Sequence, residues 1–563
     1  MRISAFLYRT LLVTLLVLLP IGNSKAQSAD VGLASPFDFP LQLSANFAEL
    51  RSGHFHAGVD FKTQGVVGKP IKCVADGYVC RARVQAGGYG LALYVMHDTL
   101  MTVYGHLDSF PDSIAKRVRE YQYSNECFAV DLNFQPGEFP VKRGEFLAYA
   151  GNSGYSFGPH LHFELRDSSG QRAFNPLAYY IADIVDRVPP RATSVAVYPR
   201  LGKGLVCGDV HSKTFGIKGT AVPDTIDAWG SVAFGISALD YMDGTANKYG
   251  IYRIELLVDG KLCFKVQMDD FSFDEYSLIK ACVDRGRSVT GEGTYQRLFL
   301  ASNNPFKNYV TDDTRGWVTV DEERFYDVEC RLVDYHGNTS IYKIPLRGRR
   351  GDIPESLKPQ LRWSRVNLLT NGTMLLRIPA FEMFENMHIA VTTEPGGCRL
   401  DGHYSVTGDC VIFWHGAELS LKADTLLPES KMCISMVVGN DTVWAGGKYS
   451  EGRVHATISS LGHYIVSADT VPPVIKPVNE KNWVRNGEVV FKLSDKGSMV
   501  SSYRGTLDGK FVLFKYSSMN RRLVLNLREE NILPGVYELE VTVTDAYGNE
   551  SIFRKTLKIN KLQ

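Results

Sequence analysis

The sequence predicts a mainly β chain divided into several domains, and three observations carry that prediction. Beyond residue 30, helical spacing of apolar positions is scarce, and short runs of Val, Ile, Phe and Tyr broken by Gly, Asn and Asp dominate. Asp-x-Val-Pro-Pro occurs twice, as DRVPP at 186–190 and DTVPP at 469–473. Consecutive prolines withhold ladder donors and keep the backbone extended, so each copy marks a link between domains. A longer repeat pairs FYDVECRLVDYHGNTSIY (325–342) with VYELEVTVTDAYGNESIF (536–553), where alternating apolar positions run into D-x-x-G-N-x-S-I. At 563 residues the chain also exceeds what one hydrophobic core organises.

In chain order, the first element is a targeting segment. Arg2 and Arg9 precede an apolar run from Leu11 to Leu19, followed by Pro20, Gly22 and the small residues Ser24 and Ala26 around Lys25. This is the pattern of a cleavable secretory signal over 1–26, cut after Ala26. The apolar run is about half of what a bilayer requires, and no later stretch is long enough. The mature chain is therefore expected to carry no membrane-spanning segment and to work in the periplasm, the cell envelope or the medium. A net charge of +1, with 22% charged residues well mixed, offers no basic surface for phosphates and excludes nucleic acid as a partner. The ten cysteines are scattered without a C-x-x-C, and Cys73 and Cys80 in IKCVADGYVC read as small core residues.

After the signal, the punctuation divides the chain into 27–185, 186–350, 351–468 and 469–563. In the long repeat Asp334 matches Asp545 and Asn338 matches Asn549; each copy reads as a half-buried strand closed by a Gly-Asn turn into the next strand. This resembles the final hairpin of immunoglobulin-like β-sandwiches in bacterial surface and periplasmic proteins. It places Ig-like β-sandwich domains at 186–350 and 469–563, with a β domain of unassigned type at 351–468. Spacing or docking is the expected role of these domains, including docking to an envelope protein partner.

Chemistry concentrates in 27–185. Six of the thirteen histidines fall between His54 and His162. In GPHLHFEL (158–165) alternate side chains of a strand share a face, so His160, His162 and Glu164 point one way and Leu161, Phe163 and Leu165 the other. The apolar set faces a core and the imidazoles a cleft. In HAGVD (56–60), His56 and Asp60 share a face, but a straight strand would hold their Cα atoms roughly 13 Å apart; a bend at Gly58 would bring them together. One carboxylate and two imidazoles form the three-ligand set of a catalytic zinc with one position open to water. The spacing alone leaves open which of His160 and His162 would be the ligand. His106 and His160 remain as candidates for proton transfer, and H-E-x-x-H is absent.

The ordered motifs H-x-G-x-D, Y-x-H-L and G-x-S-G-x-S-x-G-P-H-L-H-F-E resemble the lysostaphin-type (LytM-type) zinc metallopeptidases, which cut peptide cross-links of bacterial peptidoglycan. The resemblance runs from about residue 36 to 180 and includes GKPIKCVADGYV, GGYGLALYVMHD and FNPLAYY. It implies one zinc ion per chain on His56, Asp60 and His162, with His106 and His160 as the catalytic pair that orients water and stabilises the oxyanion. It implies no such role for His54 and His97, which read as loop or turn residues. It further implies an antiparallel-sheet domain (a duplicated hybrid motif) with a narrow groove for an extended stem peptide. The chain departs from the family at 108–140, where DSIAKRVREYQ predicts a short helix on the groove rim, either as a tolerated insertion or as a wall that narrows substrate choice. Two other classes compete with the enzyme. One is a catalytically silent wall-binding regulator or scaffold for another hydrolase, and the other is an adhesin led by the β domains.

Overall fold

The computed structural model describes residues 32–560, apart from 357, 409, 424 and 425; the secretory signal at 1–26 lies outside the described residues. Half of the chain is strand and 7% is helix, which is the mainly β class read from the sequence. Among the described residues no helix is long and apolar enough to cross a membrane.

The first domain is built on β1 (Leu43–Ala45), β2 (Val59–Lys62), β3 (Lys69–Lys72), β4 (Gly77–Val84), β5 (Leu91–Met96), β6 (Leu100–Ser109), β7 (Val130–Asn133), β8 (Pro140–Val141), β9 (Phe146–Ala150), β10 (His160–Asp167) and β11 (Arg172–Phe174). Its main antiparallel path runs β1-β2-β10-β6-β5-β4-β7, with β9 bridging β3 and β6. Strand β10 is central because its alternation serves two environments. Leu161, Phe163 and Leu165 are fully buried, and Phe163 meets the rings of Phe61, Tyr104 and Tyr180. The opposite face carries His160, His162, Glu164 and Arg166.

The insertion at 108–140 contains the expected helix, α1 (Asp112–Ser124), but its position differs from the expectation. None of its residues lines the groove described below. Ile114, Val118 and Gln122 bury one face against the first domain, while the far end docks the last domain. Arg119 pairs with Glu530 at 3.0 Å, Glu126 pairs with Arg504 at 2.7 Å, and Tyr123 donates to Glu530 and packs edge-on against Phe511. Held there, the last domain reaches over to the first: Ser518 donates its backbone N–H to the Ala86 carbonyl at 2.8 Å.

The strands of 191–348 form one continuous pairing path rather than the two separate sheets expected of a sandwich. The reason is the length of the strand Ile226–Leu239. Most of it pairs with Arg191–Val206, while its first residues, Ile226 to Ala228, run parallel to Leu346–Gly348 and join the halves. Residues 367–468 form two five-stranded sheets, and 474–559 two four-stranded sheets. Both long repeats are hairpins, Phe325–Val333 with Thr339–Gly348 and Gly535–Asp545 with Glu550–Ile559.

The second domain also sends a strand back into the first. Asp270–Ser272 pairs with β11, and Phe271, fully buried, stacks on Phe47 at 4.9 Å and meets Phe55 at 5.8 Å. Phe55 further donates its N–H to the Tyr276 carbonyl at 3.0 Å. These contacts brace the segment that delivers His56. Phe271→Ala should therefore cost about 3–5 kcal/mol, read as a lowered midpoint of thermal or urea unfolding. An unchanged midpoint would show that the returning strand is not part of the folded core.

Candidate active site

Register brings the first two groups together. Strand β10 pairs with β2 so that His162 lies directly opposite Asp60, and with β6 so that His162 also faces Gly105. A Cβ on Gly105 would press within 3.3 Å of the His162 Cβ, so the glycine gives the ring its space. His56 precedes β2, in a segment that has left the strand path. There Gly58 crosses so close to β10 that a Cβ would fall 2.2 Å from the Phe163 carbonyl oxygen. The chain can fold His56 back over Asp60 only because residue 58 has no side chain.

The resulting triangle is tight. His56 Nε2 lies 3.0 Å from His162 Nδ1 and 3.1 Å from Asp60 Oδ1, and His162 Nδ1 lies 2.9 Å from Asp60 Oδ1. All three residues are buried. Neighbouring groups fix what these atoms can do. His56 Nδ1 donates to the Asn46 carbonyl at 2.8 Å, so its Nε2 keeps a lone pair. His162 Nε2 donates to Glu164 Oε1 at 2.8 Å, which turns Nδ1 toward the triangle. Arg51 Nη2 holds the other oxygen of Asp60 at 3.3 Å. Burial alone would raise the Asp60 pKa, but the charges and hydrogen bonds of His56 and His162 hold it well below the usual carboxylate range. Burial likewise opposes a charge on His162, yet its hydrogen bonds to Asp60 and Glu164 carry its pKa up to about 9.

Without a metal, the proton on His162 Nδ1 joins the triangle by donating to Asp60; a cation in its place would draw lone pairs from all three atoms. Donor atoms bound to one tetrahedral ion at about 2.0–2.1 Å stand roughly 3.3 Å apart, close to the three observed edges. Two imidazole nitrogens and one carboxylate oxygen fit zinc by donor type as well as by spacing. The structure thus distinguishes the two histidines that the sequence left equivalent. His162 presents Nδ1 to the cluster, whereas His160 Nε2 stays 3.6 Å from Asp60 Oδ1.

His106 and His160 flank the triangle, with their rings 4.7 Å apart. His106 occupies the left-handed region at φ 58°, a strained backbone for a residue with a branched ring. Its Nδ1 donates to the Ser153 carbonyl at 2.8 Å, and that of His160 to the Gly158 carbonyl at 2.8 Å. Each ring is left with a free Nε2 lone pair. Burial, reinforced by the neighbouring histidines, pushes the His106 pKa down to about 3, and burial lowers that of His160. Both rings are neutral at neutral pH.

Behind the triangle stands a network whose role the sequence did not reveal. Glu164 is fully buried; it accepts from His162, from the Tyr89 hydroxyl and from Arg166 Nε at 2.5 Å. Burial would raise its pKa, but Arg166 and His162 bring it down to about 2. Tyr89 also stacks on the His162 ring at 5.0 Å. The available signal was the alternation that sets Glu164 on the histidine face. GYSFG (154–158) has the spacing of a serine nucleophile elbow, but it leads into a strand, and Ser156 Oγ donates to Asn152 Oδ1 at 2.6 Å. Of the other two histidines, His54 lines the groove, and His97 is buried between the Asp76 carbonyl and Thr102 Oγ1. None of the ten cysteines lines the groove.

The site forms the floor of a groove of about 1420 Å³ that runs from Phe39 and Gln42 past the histidines to Tyr155 and Phe157. Phe157 is 83% exposed, an apolar ring presented to solvent at one end. Ser518 of the last domain also lines the groove, beside Gly87 and Gly88.

Comparison with known proteins adds relatives for two regions. A Zu5-like domain model matches residues 358–469, the β domain whose type the sequence left unassigned. An uncharacterized metalloprotease of Haemophilus influenzae is 36% identical over 123 residues, 22% of this chain and 20% of the relative. The DD-carboxypeptidase/endopeptidase Mpg of Neisseria meningitidis serogroup B is 28% identical over 135 residues, 24% of each chain. The catalytic domain of the prophage-encoded M23 protein EnpA from Enterococcus faecalis is 26% identical, with a TM-score of 0.19, over 25% of this chain and 94% of that one. The chain thus spans about a fifth to a quarter of the length of the curated relatives it matches.

If Glu164 orients His162 for a metal, Glu164→Gln should weaken metal binding by about 10- to 100-fold. Competition against a chromogenic chelator measures this directly, and an unchanged affinity would remove the orienting role.

Proposed function

We propose that the first domain of this chain is of the lysostaphin type and that the protein is an exported zinc endopeptidase that hydrolyses peptide cross-links of bacterial peptidoglycan. The observation that carries the reading is the convergence of His56 Nε2, Asp60 Oδ1 and His162 Nδ1 on the groove floor, with two neutral imidazoles alongside. The curated relatives described as peptidases support a peptide substrate.

In this reading His56, Asp60 and His162 hold the ion. The chemistry zinc supplies when bound is Lewis acidity toward a carbonyl oxygen and a lowered pKa for water. The protein's own residues do the rest. With their Nδ1 protons given to the carbonyls of Ser153 and Gly158, His106 and His160 present only acceptors to the groove. One of them takes a proton from the attacking water at Nε2. That ring then becomes a donor, able to steady the developing oxyanion and to return the proton to the departing amine. Burial disfavours the charged ring and so promotes the return. The groove's length suits an extended peptide, with Phe157 and Tyr155 as apolar contacts at one end.

Defined cross-linked muropeptides, incubated with the zinc-loaded protein and analysed by mass spectrometry, should yield monomers. His162→Ala should abolish cleavage together with metal binding. His106→Ala and His160→Ala should each lower turnover by about 10²–10⁴-fold while zinc content stays near one per chain. Intact dimers after treatment with fully zinc-loaded protein would overturn the proposal.

A further inference from the structure

The two Asp-x-Val-Pro-Pro links open onto acidic clusters built on the same plan. At the last domain, Asp469 from the link, Asp495 just after the strand Glu488–Ser494, and Asp545 at the end of Gly535–Asp545 bring ligand atoms within 4.8 Å of one another. At the second domain Asp186 and Asp334 occupy the matching places and meet with His336. Asp240, just after the strand Ile226–Leu239, matches Asp495; burial and the charge of Asp334 raise its pKa to about 8.

The frame repeats down to single hydrogen bonds. Asn338 Nδ2 donates to Asp334 Oδ2 at 2.7 Å and to the Asp186 carbonyl at 3.1 Å; Asn549 Nδ2 donates to Asp545 Oδ2 at 2.7 Å and to the Asp469 carbonyl at 2.9 Å. These bonds settle the loops and leave carboxylate oxygens unused. Asp186 Oδ2, Asp240 Oδ1, Asp469 Oδ2 and Asp495 Oδ2 are buried and have no hydrogen-bond partner. Asp186, Asp240 and Asp469 are themselves 6%, 1% and 2% exposed. Among the described residues, no lysine or arginine makes an ion pair with any of the six aspartates. His336 sharpens the imbalance. Its Nε2 donates to the Ile184 carbonyl at 2.8 Å, so Nδ1 turns a lone pair toward Asp186 Oδ2, 3.7 Å away. Gly497 fits the same picture, because a Cβ there would lie 2.1 Å from Asp469 Oδ1. Only a glycine lets the loop after Asp495 close over that carboxylate.

Buried carboxylates gathered without a cationic side chain call for a cation from solution. We propose that each junction binds a hard divalent cation of the calcium class, through Asp469, Asp495 and Asp545 at one and around Asp186 and Asp334, with the neighbouring Asp240, at the other. Oxygen donors from separate loops suit calcium's flexible coordination. Bound there, the ions tie each Pro-Pro link to the domain that follows it. At the last junction this fixes the domain that places Ser518 on the groove rim.

The test uses the full chain with its active-site metal in place, titrated with CaCl₂ in a calorimeter and analysed for bound metals after gel filtration. Two calcium equivalents per chain are expected, together with a melting temperature raised by calcium and lowered by the calcium-selective chelator EGTA. Asp495→Asn and Asp240→Asn should each remove one equivalent and spare the other. Fewer than two equivalents in the unmodified chain, or an unchanged number in either variant, overturns the proposal. Should a variant fail to fold, the stoichiometry and the calcium-dependent melting of the unmodified chain decide the question.

Discussion

The first domain depends on one arrangement: three potential ligand atoms, from His56, Asp60 and His162, meet inside a buried triangle with edges of 2.9 to 3.1 Å. Without a metal the proton on His162 Nδ1 joins it by donating to Asp60, and a bound cation would take that proton's place. The triangle's neighbours enforce it. The Asn46 carbonyl fixes the tautomer of His56, Glu164 fixes that of His162, and Arg166 neutralises Glu164. Removing one member of such a buried charge pair typically costs about 3–5 kcal/mol. The network therefore binds orientation and folding together.

The rest of the chain supports that arrangement from both sides. The second domain returns Asp270–Ser272 to the first sheet and packs Phe271 against Phe47 and Phe55, just ahead of His56. It also clasps the outer strand, where Asn46 Nδ2 donates to the Gly250 carbonyl at 2.8 Å and Tyr249 to that of Leu43 at 2.8 Å. Asn46 is the residue whose carbonyl orients His56, so this contact reaches the site through a single amide. On the other side, α1 holds the last domain, and Ser518 comes to the groove rim. Domains that read in sequence as spacing or docking modules thus contribute to the position of the site and to the shape of its groove.

Much of the site was legible in the sequence because its residues lie in short motifs with local periodicity. The alternation of GPHLHFEL separated a core face from a histidine face, and the structure keeps that division. The bend at Gly58 was legible as a need, since a straight strand could not join His56 to Asp60. Other features left no local signal. The choice between His160 and His162 rests on hydrogen bonds to Gly158 and Glu164, which orient rings that alternation treats alike. The docking of α1 on Glu530 and the return of Phe271 involve residues hundreds of positions apart or in another domain, where no period can announce a contact. Read alone, the helix of the insertion suggested either a tolerated insertion or a groove wall; its buried face and distant partners make it a bracket for the last domain.

The central claim is that His56, Asp60 and His162 share one metal ion and that His160 does not. Diffraction from zinc-soaked crystals, recorded on both sides of the zinc absorption edge, tests it most directly. The account predicts one anomalous peak within bonding distance of His56 Nε2, an Asp60 carboxylate oxygen and His162 Nδ1, with His160 Nε2 outside that distance. An empty triangle, or an ion bound through His160 in place of His162, would contradict it.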